Sequence, residues 1–287
     1  MIRLKIGGVP EHFNLPWRQA IEDGSFKKVG IDLHWSDMTG GTGQMIRGLE
    51  TGSLDVAVLL TEGLTMSVLK GLPAKILQVY VTSPLRWGIH APHNAEFTKL
   101  SDIKSPTFAI SRHGSGSHLM AYVLADKLNG QFDEINFNVV GDVYGGLWSL
   151  ENKKADLFLW EKFTTAPFVK QQKCNRIDEI LTPWPCFVIA VRQEIIDSNP
   201  TELSLLQQVI IDAAQRLKMD PTASEKIAWR YNLDINDVRQ WLSETNWATS
   251  QLEGIVELEN VVDYLEKINL ISSDERSDWE RKLIHSV

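Results

Sequence analysis

The sequence predicts an α/β fold of two lobes, in which strands and helices alternate, followed by a helical tail. Short apolar runs and amphipathic helical patterns alternate over residues 1–81, and the alternation resumes over residues 107–180. From residue 197 onward the periodicity is helical only. Such alternation is typical of parallel sheets with helices on both faces, because each strand needs a connection that returns the chain to the same edge.

Short runs of β-branched and other apolar residues predict the strands. The predicted strands cover residues 3–6, 29–35, 55–60, 76–81, 107–110, 135–140, 155–160, 176–180 and 187–191. We interpret residues 83–90 as a crossing between the lobes rather than a further strand-helix unit. Residues 182–190 contain a second crossing, in which two prolines flank Trp184.

Helices are predicted where apolar residues recur at helical spacing and where terminal signals mark the ends. Pro16 suits the first turn of the first helix, and Gly24 and Gly52 end two of the helices. The predicted helices cover residues 17–22, 44–50, 64–70, 100–103, 118–128, 147–152, 200–218, 224–231, 235–245, 252–268 and 273–284. The periodic leucines and isoleucines of the tail helices indicate packing faces.

Two strand-to-helix turns that are rich in small residues are the main candidates for ligand binding. They consist of Thr39, Gly40, Gly41, Thr42 and Gly43 in the first lobe, and of Arg112, His113, Gly114, Ser115, Gly116 and Ser117 in the second. The unpaired amides and the dipole of a helix start favour an anion or a strong acceptor, and glycine lets a ligand approach the main chain. Ser115 or Ser117 is the expected N-cap, Thr42 offers a hydroxyl and a cap, and Arg112 is a candidate counter-ion. The competing interpretation is an ordinary capped turn.

Other candidates for ligand contact follow the ends of predicted strands. They are Glu11, His12 and Asn14 after the first strand, Glu62 after the third, and Trp160 and Glu161 at the matching corner of the second lobe. Glu11 and His12 either orient a ligand or act as an acid–base pair. Glu62 either accepts from a ligand amine or complements the dipole of the next helix. Trp160 either lines a pocket or packs in the core.

Three further residues, Ser83, Trp87 and Trp184, lie at the crossings, where they line a cleft or stiffen a hinge. No serine, histidine and aspartate can be grouped into a catalytic set, so we assign no catalytic residue. The seven histidines are scattered and the chain has two cysteines, Cys174 and Cys186. This pattern predicts neither a metal site nor a disulfide framework, and we expect no cofactor.

The charge and the hydropathy exclude two classes of protein. The 287 residues include 37 acidic and 29 basic ones, a net charge of −8, and no basic run, so we expect no nucleic acid partner. No apolar stretch reaches the ~18 residues that a membrane span requires. The first 13 residues lack the apolar region of a secretory signal, which predicts a cytoplasmic location for the chain as it stands, or a periplasmic one if a leader has been removed.

Several motifs occur in a recognisable order and spacing. They are IGGVPEHFNLPW at 6–17, GGTG at 40–43, LDVA at 54–57, TEG at 61–63 and RHGSGS at 112–117. On these residues the chain resembles the periplasmic-binding-protein type II fold, in the branch of aliphatic sulfonate, nitrate/taurine and thiamine-precursor (NMT1/THI5-like) solute-binding proteins. The resemblance implies two lobes with mixed sheets flanked by helices and a helical C-terminal tail. Lobe 1 would be residues 1–83 plus 187–287 and lobe 2 residues 88–182, with hinges near 83–90 and 182–190.

The resemblance also implies a function, that of a small-molecule binding protein of the ABC-transporter substrate-binding type that closes two lobes on its ligand. Its protein partner would be an ABC-type permease or another protein. The candidate turns favour a small ligand with an anionic or zwitterionic group beside a flat ring. Two alternatives stay open: an enzyme that acts on a thiamine-related molecule through Glu11 and His12, and a cytoplasmic sensor that signals through the tail. The chain lacks the cysteine-rich iron motif of the family's thiamine-pyrimidine synthases.

Overall fold

The computed structural model describes residues 1–285. Proximity between Cα atoms divides the chain into two compact units. Unit 1 contains Met1–Pro84 and the chain from Pro183 onward, and unit 2 contains Leu85–Thr182. Each unit holds one five-stranded sheet, so each is described on its own.

The strands and helices of both units are numbered in chain order. The strands are β1 (Ile2–Gly8), β2 (Ile31–Asp37), β3 (Val56–Leu60), β4 (Ala74–Val81), β5 (Arg86–Pro92), β6 (Thr107–Ile110), β7 (Asn136–Val139), β8 (Leu157–Glu161), β9 (Cys174–Leu181) and β10 (Phe187–Arg192). The helices are α1 (Leu15–Glu22), α2 (Ser25–Lys28), α3 (Gly41–Thr51), α4 (Thr61–Leu69), α5 (Gly116–Lys127), α6 (Val143–Glu151), α7 (Lys162–Lys170), α8 (Gln193–Ser198), α9 (Pro200–Met219), α10 (Ala223–Tyr231), α11 (Ile235–Glu244), α12 (Leu258–Lys267), α13 (Ser273–Arg276) and α14 (Trp279–Leu283). Short 3₁₀ helices cover His12–Asn14 and Leu100–Asp102.

The sheet of unit 1 has the strand order β2–β1–β3–β10–β4. β1 pairs in parallel with β2 and β3, and β10 runs antiparallel between β3 and β4. The carboxyl ends of β1 to β4 therefore lie at one edge of the sheet, which we call the carboxyl edge of unit 1. β10 begins at this edge, because Phe187 is paired with both Leu60 and Val81.

The sheet of unit 2 repeats this arrangement with the order β7–β6–β8–β5–β9. β6 is parallel to β7 and β8, and β5 runs antiparallel between β8 and β9. The carboxyl ends of β6 to β9 form the carboxyl edge of unit 2, where β5 begins, since Arg86 is opposite Leu181. The chain passes from unit 1 to unit 2 between Pro84 and Leu85, inside the segment 83–90 that we interpret as a crossing. Most of this segment also belongs to a central strand that the sequence did not predict. Pro84 and Pro92, which resemble strand breakers in the sequence, lie just before this strand and at its last residue.

The same carboxylate contact fixes the strand register in both units. Asp55 accepts a hydrogen bond from Lys5 N at 2.8 Å, and Asp55 N donates to Lys5 O at 2.8 Å. Asp156 of unit 2 makes both bonds with Thr107, also at 2.8 Å. Asp55 is buried, and its carboxylate lies 3.5 Å from Nη1 of Arg192. Each aspartate immediately precedes one strand and thus bonds that strand to the neighbouring strand of the sheet.

The core of each unit is built from large rings and aliphatic side chains beneath the sheets. In unit 1, Trp17 is fully buried and stacks on Phe26 with ring centroids 5.6 Å apart. In unit 2, Phe158 packs in a buried cluster with Leu150 and Cys174. Because these groups hold the sheets rigid, the loops at the carboxyl edges start from fixed positions.

Two short pieces of the tail cover the outer edge of β4. Trp247 forms an antiparallel bridge with Val81, and Ile284 forms a parallel bridge with Ile76. His285 N donates to Ile76 O at 2.9 Å, which extends the second bridge. The tail therefore completes the sheet of unit 1 in addition to packing against it.

Two tail helices differ from their predicted extents. α12 begins at Leu258 instead of 252, because the chain turns at Gly254, which has a φ of +80°. The helix predicted over 273–284 is two short helices, since Asp278 between them has a φ of +51°. The α/β fold class with mixed sheets flanked by helices is confirmed.

We expect Asp55→Ala to lower the free energy of unfolding by roughly 1–3 kcal/mol, because the substitution leaves the buried N–H of Lys5 and the guanidinium of Arg192 without this carboxylate. Urea denaturation followed by tryptophan fluorescence measures the change. The matched control is Asp212→Ala, which removes an exposed carboxylate from α9. Equal stability of the Asp55→Ala and Asp212→Ala variants would contradict this assignment.

Candidate functional site

The candidates in unit 1 all follow strand ends at its carboxyl edge or precede β10 there. They are Glu11, His12, Asn14, Thr39, Gly40, Gly41, Thr42, Gly43, Glu62, Ser83 and Trp184. Ser83 accepts a hydrogen bond from Asn246 N at 3.1 Å, so it anchors the tail. The topology of the sheet therefore brings three turns and the two segments that join the units to a single edge of unit 1.

His12 lies in the loop after β1 and is enclosed by aromatic rings. Its ring centroid is 4.2 Å from that of Trp241 and 5.0 Å from that of Phe13. Burial lowers the pKa of His12 to about 3, so the imidazole is neutral at physiological pH. Nε2 of His12 and Oδ1 of Asn14 are buried without a hydrogen-bond partner in the described chain. The imidazole of His12 is thus buried and packed against the rings of Phe13 and Trp241.

The tail supplies part of this ring cluster, which the sequence alone does not indicate. Trp241 and Tyr231 belong to α11 and α10, and the Tyr231 ring lies 6.2 Å from His12. Trp247 Nε1 donates to Phe13 O at 3.3 Å, and the Tyr80 hydroxyl donates to the same oxygen at 2.8 Å. The ten tryptophans of the chain were the only signal in the sequence for such a cluster.

The glycine turn of unit 1 is fixed by a close contact with the next turn. Gly40 is the N-cap of α3 and Gly41 has a φ of +63°, a conformation that favours glycine. The sequence suggested that Thr42 caps the helix, but Thr42 already lies inside α3. Its hydroxyl accepts a hydrogen bond from Leu60 N at 3.4 Å. A Cβ on Gly63 would lie 2.5 Å from Thr42 Cγ2, so these two turns pack without space for a side chain.

Glu62 is a buried carboxyl group bound to the segment that precedes β10. Trp184 Nε1 donates to Oε2 of Glu62 at 3.1 Å, while Oε1 is buried without a partner in the described chain. The neighbouring Thr61 hydroxyl donates to Pro185 O at 2.6 Å. Burial raises the pKa of Glu62 to about 7, so this group changes charge near neutrality.

The candidates in unit 2 also cluster at a carboxyl edge. They are Trp87, Arg112, His113, Ser115, Gly116, Ser117, Trp160 and Glu161. His113 is exposed, with its ring centroid 5.2 Å from that of His118. The turn before α5 and the corner after β8 therefore both lie at the carboxyl edge of unit 2.

The turn before α5 is a network of buried hydroxyl and amide groups. Ser115 is the N-cap, as one of two alternatives predicted, and its Oγ accepts from His118 N at 3.4 Å. Ser117 Oγ lies 3.0 Å from Ser115 Oγ and accepts from Ser111 N at 3.0 Å. His118 Nδ1 accepts from Gly114 N at 3.0 Å, and burial lowers the pKa of His118 to about 4. Sequence reasoning missed His118, since its helical position gave no sign of this contact.

Glu161 and Trp87 face each other across β8 and β5 at this edge. Glu161 caps α7, because its Oε2 accepts from Thr164 N at 2.6 Å. Its Oε1 and Nε1 of Trp87 are both buried without partners in the described chain. Trp160 packs against the buried core cluster and lies 5.4 Å from Phe158, which favours its role in the core.

A charged cluster lies beside this corner. Glu179 is bound by Arg86 at 3.1 Å, by Lys162 at 3.0 Å and by Arg176 at 3.5 Å. Burial opposes ionisation of Glu179, but the contacts with Lys162, Arg86 and Arg176 outweigh it and lower the pKa of this carboxyl group.

A separate open pocket of about 460 Å³ lies between α1 and α9, away from the candidate residues. Its charged groups pair with one another or with α10: Arg216 lies 3.7 Å from Asp23, and Arg230 lies 2.6 Å from Glu22. Within residues 1–285 no three His, Cys, Asp or Glu side chains are grouped to hold a metal. No helix among those described has the length and apolar character to cross a bilayer.

Comparisons with known proteins agree with the fold described above. Residues 87–180 match the family model described as Ca3427-like PBP. The Candida albicans CA3427 gene product, described as defining a new family with the generic periplasmic binding protein fold, has a TM-score of 0.91 with 24% identity, over 99% of this chain and 96% of that one. No curated protein matches the sequence.

Two solute-binding proteins have the same fold. The alkanesulfonate-binding protein SsuA from Xanthomonas axonopodis pv. citri has a TM-score of 0.79 and 14% identity, over 99% of this chain and 98% of its own. The nitrate-binding protein NrtA from Synechocystis PCC 6803 has a TM-score of 0.71 and 16% identity, over 97% of this chain and 85% of its own. At identities this low, the structural similarity shows the fold alone. The expected periplasmic binding protein fold is confirmed.

We expect the free energy of unfolding to fall as the pH rises from 4.5 to about 7, the ordinary and the folded-state pKa of Glu62. Over that interval the folded chain holds a proton on Glu62 that the unfolded chain has released. The stabilisation is complete below the lower value and is lost as the pH passes the higher one, a difference of at most about 3 kcal/mol. Urea denaturation over this pH range measures it.

Glu62→Gln should remove this part of the pH dependence, because the amide does not titrate. Glu50→Gln, which changes an exposed carboxylate on α3, is the matched control and should leave the dependence as it is. The assignment would be wrong if the Glu62→Gln variant lost stability with pH as steeply as the native chain.

Proposed function

We propose that this chain, which has the periplasmic binding protein fold, binds a small solute through loops that follow the carboxyl ends of its parallel strands. The observation that carries the proposal is the arrangement of each sheet. In each unit, a helix that starts at glycine and several buried polar groups lie at the carboxyl edge of the sheet. In open α/β sheets, ligands generally bind outside the carboxyl ends of the strands.

The chemistry of these loops supports a solute with an anionic or zwitterionic group. α3 begins at Gly41 and α5 at Gly116, and first-turn N–H groups have no acceptor within their own helix. These amides and the dipole favour negative charge.

The solved structures support the same class of function. One is named for alkanesulfonate binding and one for nitrate binding, and both have the fold of this chain. We extend the proposal to delivery of the solute to a protein partner, for which an ABC-type permease is the first candidate. Copurification with a permease would test that extension separately from binding.

Native mass spectrometry of freshly purified protein tests the proposal directly. We expect an added mass of a few hundred daltons or less that is lost on denaturation and restored when the released solute is added back. The released solute should raise the midpoint of thermal unfolding, because it binds only the folded chain. A protein that is free of solute and whose melting temperature responds to no small anion or zwitterion would contradict the proposal.

Gly41→Val should weaken binding of that solute by roughly tenfold or more, since the side chain would occupy the approach to the amides of α3. A Cβ at Gly41 has no protein atom within 4 Å, so the space it would fill is open. Thermal unfolding with and without solute measures the loss.

Gly24→Val is the matched control. Gly24 has a φ of +73° and equally open surroundings, but it lies between α1 and α2, ahead of the amino end of β2. Both variants therefore carry similar backbone strain. If both lose solute-dependent stabilisation equally, the assignment of the α3 turn fails.

A further inference from the structure

The two sheets place a glutamate and a tryptophan at equivalent corners. Glu62 follows β3 and Glu161 ends β8, and these strands occupy the same position in their sheets. Trp184 precedes β10 and Trp87 is the second residue of β5, the two antiparallel strands. Each unit therefore has one glutamate–tryptophan pair at its carboxyl edge.

The two pairs differ in their hydrogen bonds. In unit 1 the pair is closed, because Trp184 Nε1 donates to Glu62 at 3.1 Å. In unit 2, Nε1 of Trp87 and Oε1 of Glu161 have no partner in the described chain. The side chains of directly opposite residues in an antiparallel pair project from the same face, with Cβ atoms ~5 Å apart. The unused donor and the unused acceptor thus belong to two side chains on the same face of the sheet.

Both groups are buried, so leaving them unpaired is costly. Trp87 is 4% exposed and Glu161 is 5% exposed. An unsatisfied buried polar group loses its bonds to water without replacement. The indole N–H can only donate, and Oε1 of an ionised carboxylate can only accept. The bond between Oε2 of Glu161 and Thr164 N holds the carboxylate in place while Oε1 stays unused.

We propose that Trp87 and Glu161 together bind an amide group of the solute, with Trp87 donating to the amide oxygen and Glu161 accepting from the amide N–H. This inference rests on the proposed function and specifies its ligand. A primary amide presents an acceptor beside a donor, which matches the two unused atoms. A sulfonate or nitrate presents acceptors only and has no donor for Oε1 of Glu161.

Indole N–H resonances of the 287-residue chain test this inference with acetamide and acetate as probes. The chain has ten tryptophans, and Trp87→Phe identifies the signal of Trp87 by its loss. We expect acetamide to shift the Trp87 signal saturably at millimolar concentrations. Acetate should bind at least roughly tenfold more weakly, the effect of losing one hydrogen bond to a charged group.

Glu161→Gln should reverse this preference. Its side-chain oxygen can keep the bond to Thr164 N, and its NH₂ group then replaces Oε1, so the pair presents two donors. Acetate should now bind better than acetamide, a gain that an unfolded protein does not show. Glu151→Gln, an exposed change on α6, is the control that should keep the native preference.

Two results would overturn the inference. One is a Trp87 signal that acetamide does not move. The other is a Glu161→Gln variant that prefers acetamide to acetate as the native chain does. A protein that carries a natural solute by native mass spectrometry but gives either result would retain the proposed function and lose only the amide assignment.

Discussion

One antiparallel strand in each sheet brings the connections between the units to the edge where the candidate residues lie. β10 in unit 1 and β5 in unit 2 run against their neighbours, so each begins where parallel strands end. The chain therefore leaves and enters each unit at the carboxyl edge of that unit. The glycine turns and the buried carboxyl groups lie at the same edge of their own sheet, because they stand at the ends of its parallel strands.

Local pattern predicted most of this arrangement. The apolar runs located the strands, and the position of loops after parallel strands predicted which residues share an edge. The cap of α5 was predicted as Ser115 or Ser117, because serine is a preferred N-cap residue, and the structure selects Ser115. β5 was not predicted as a strand, since its pairing with β8 and β9 depends on residues far away in the chain.

The side-chain environments were harder to infer than the topology. His12 resembles a polar loop residue in the sequence, yet rings from the distant tail bury it and keep it neutral. Burial raises the pKa of Glu62 to about 7, whereas the hydrogen bond from Trp184, 122 residues away, opposes this shift. Burial and long-range contact set the protonation of both groups, and no local motif encodes either.

The short bridges that Trp247 and Ile284 make with β4 have a consequence for behaviour at high concentration. β4 is the last strand of its sheet, and an uncovered last strand offers a row of free main-chain groups to another molecule. The tail occupies two places along that row. The C-terminal region therefore protects this strand from pairing with another molecule. A chain that ended before Ile284 would expose a surface on which copies of this protein could assemble.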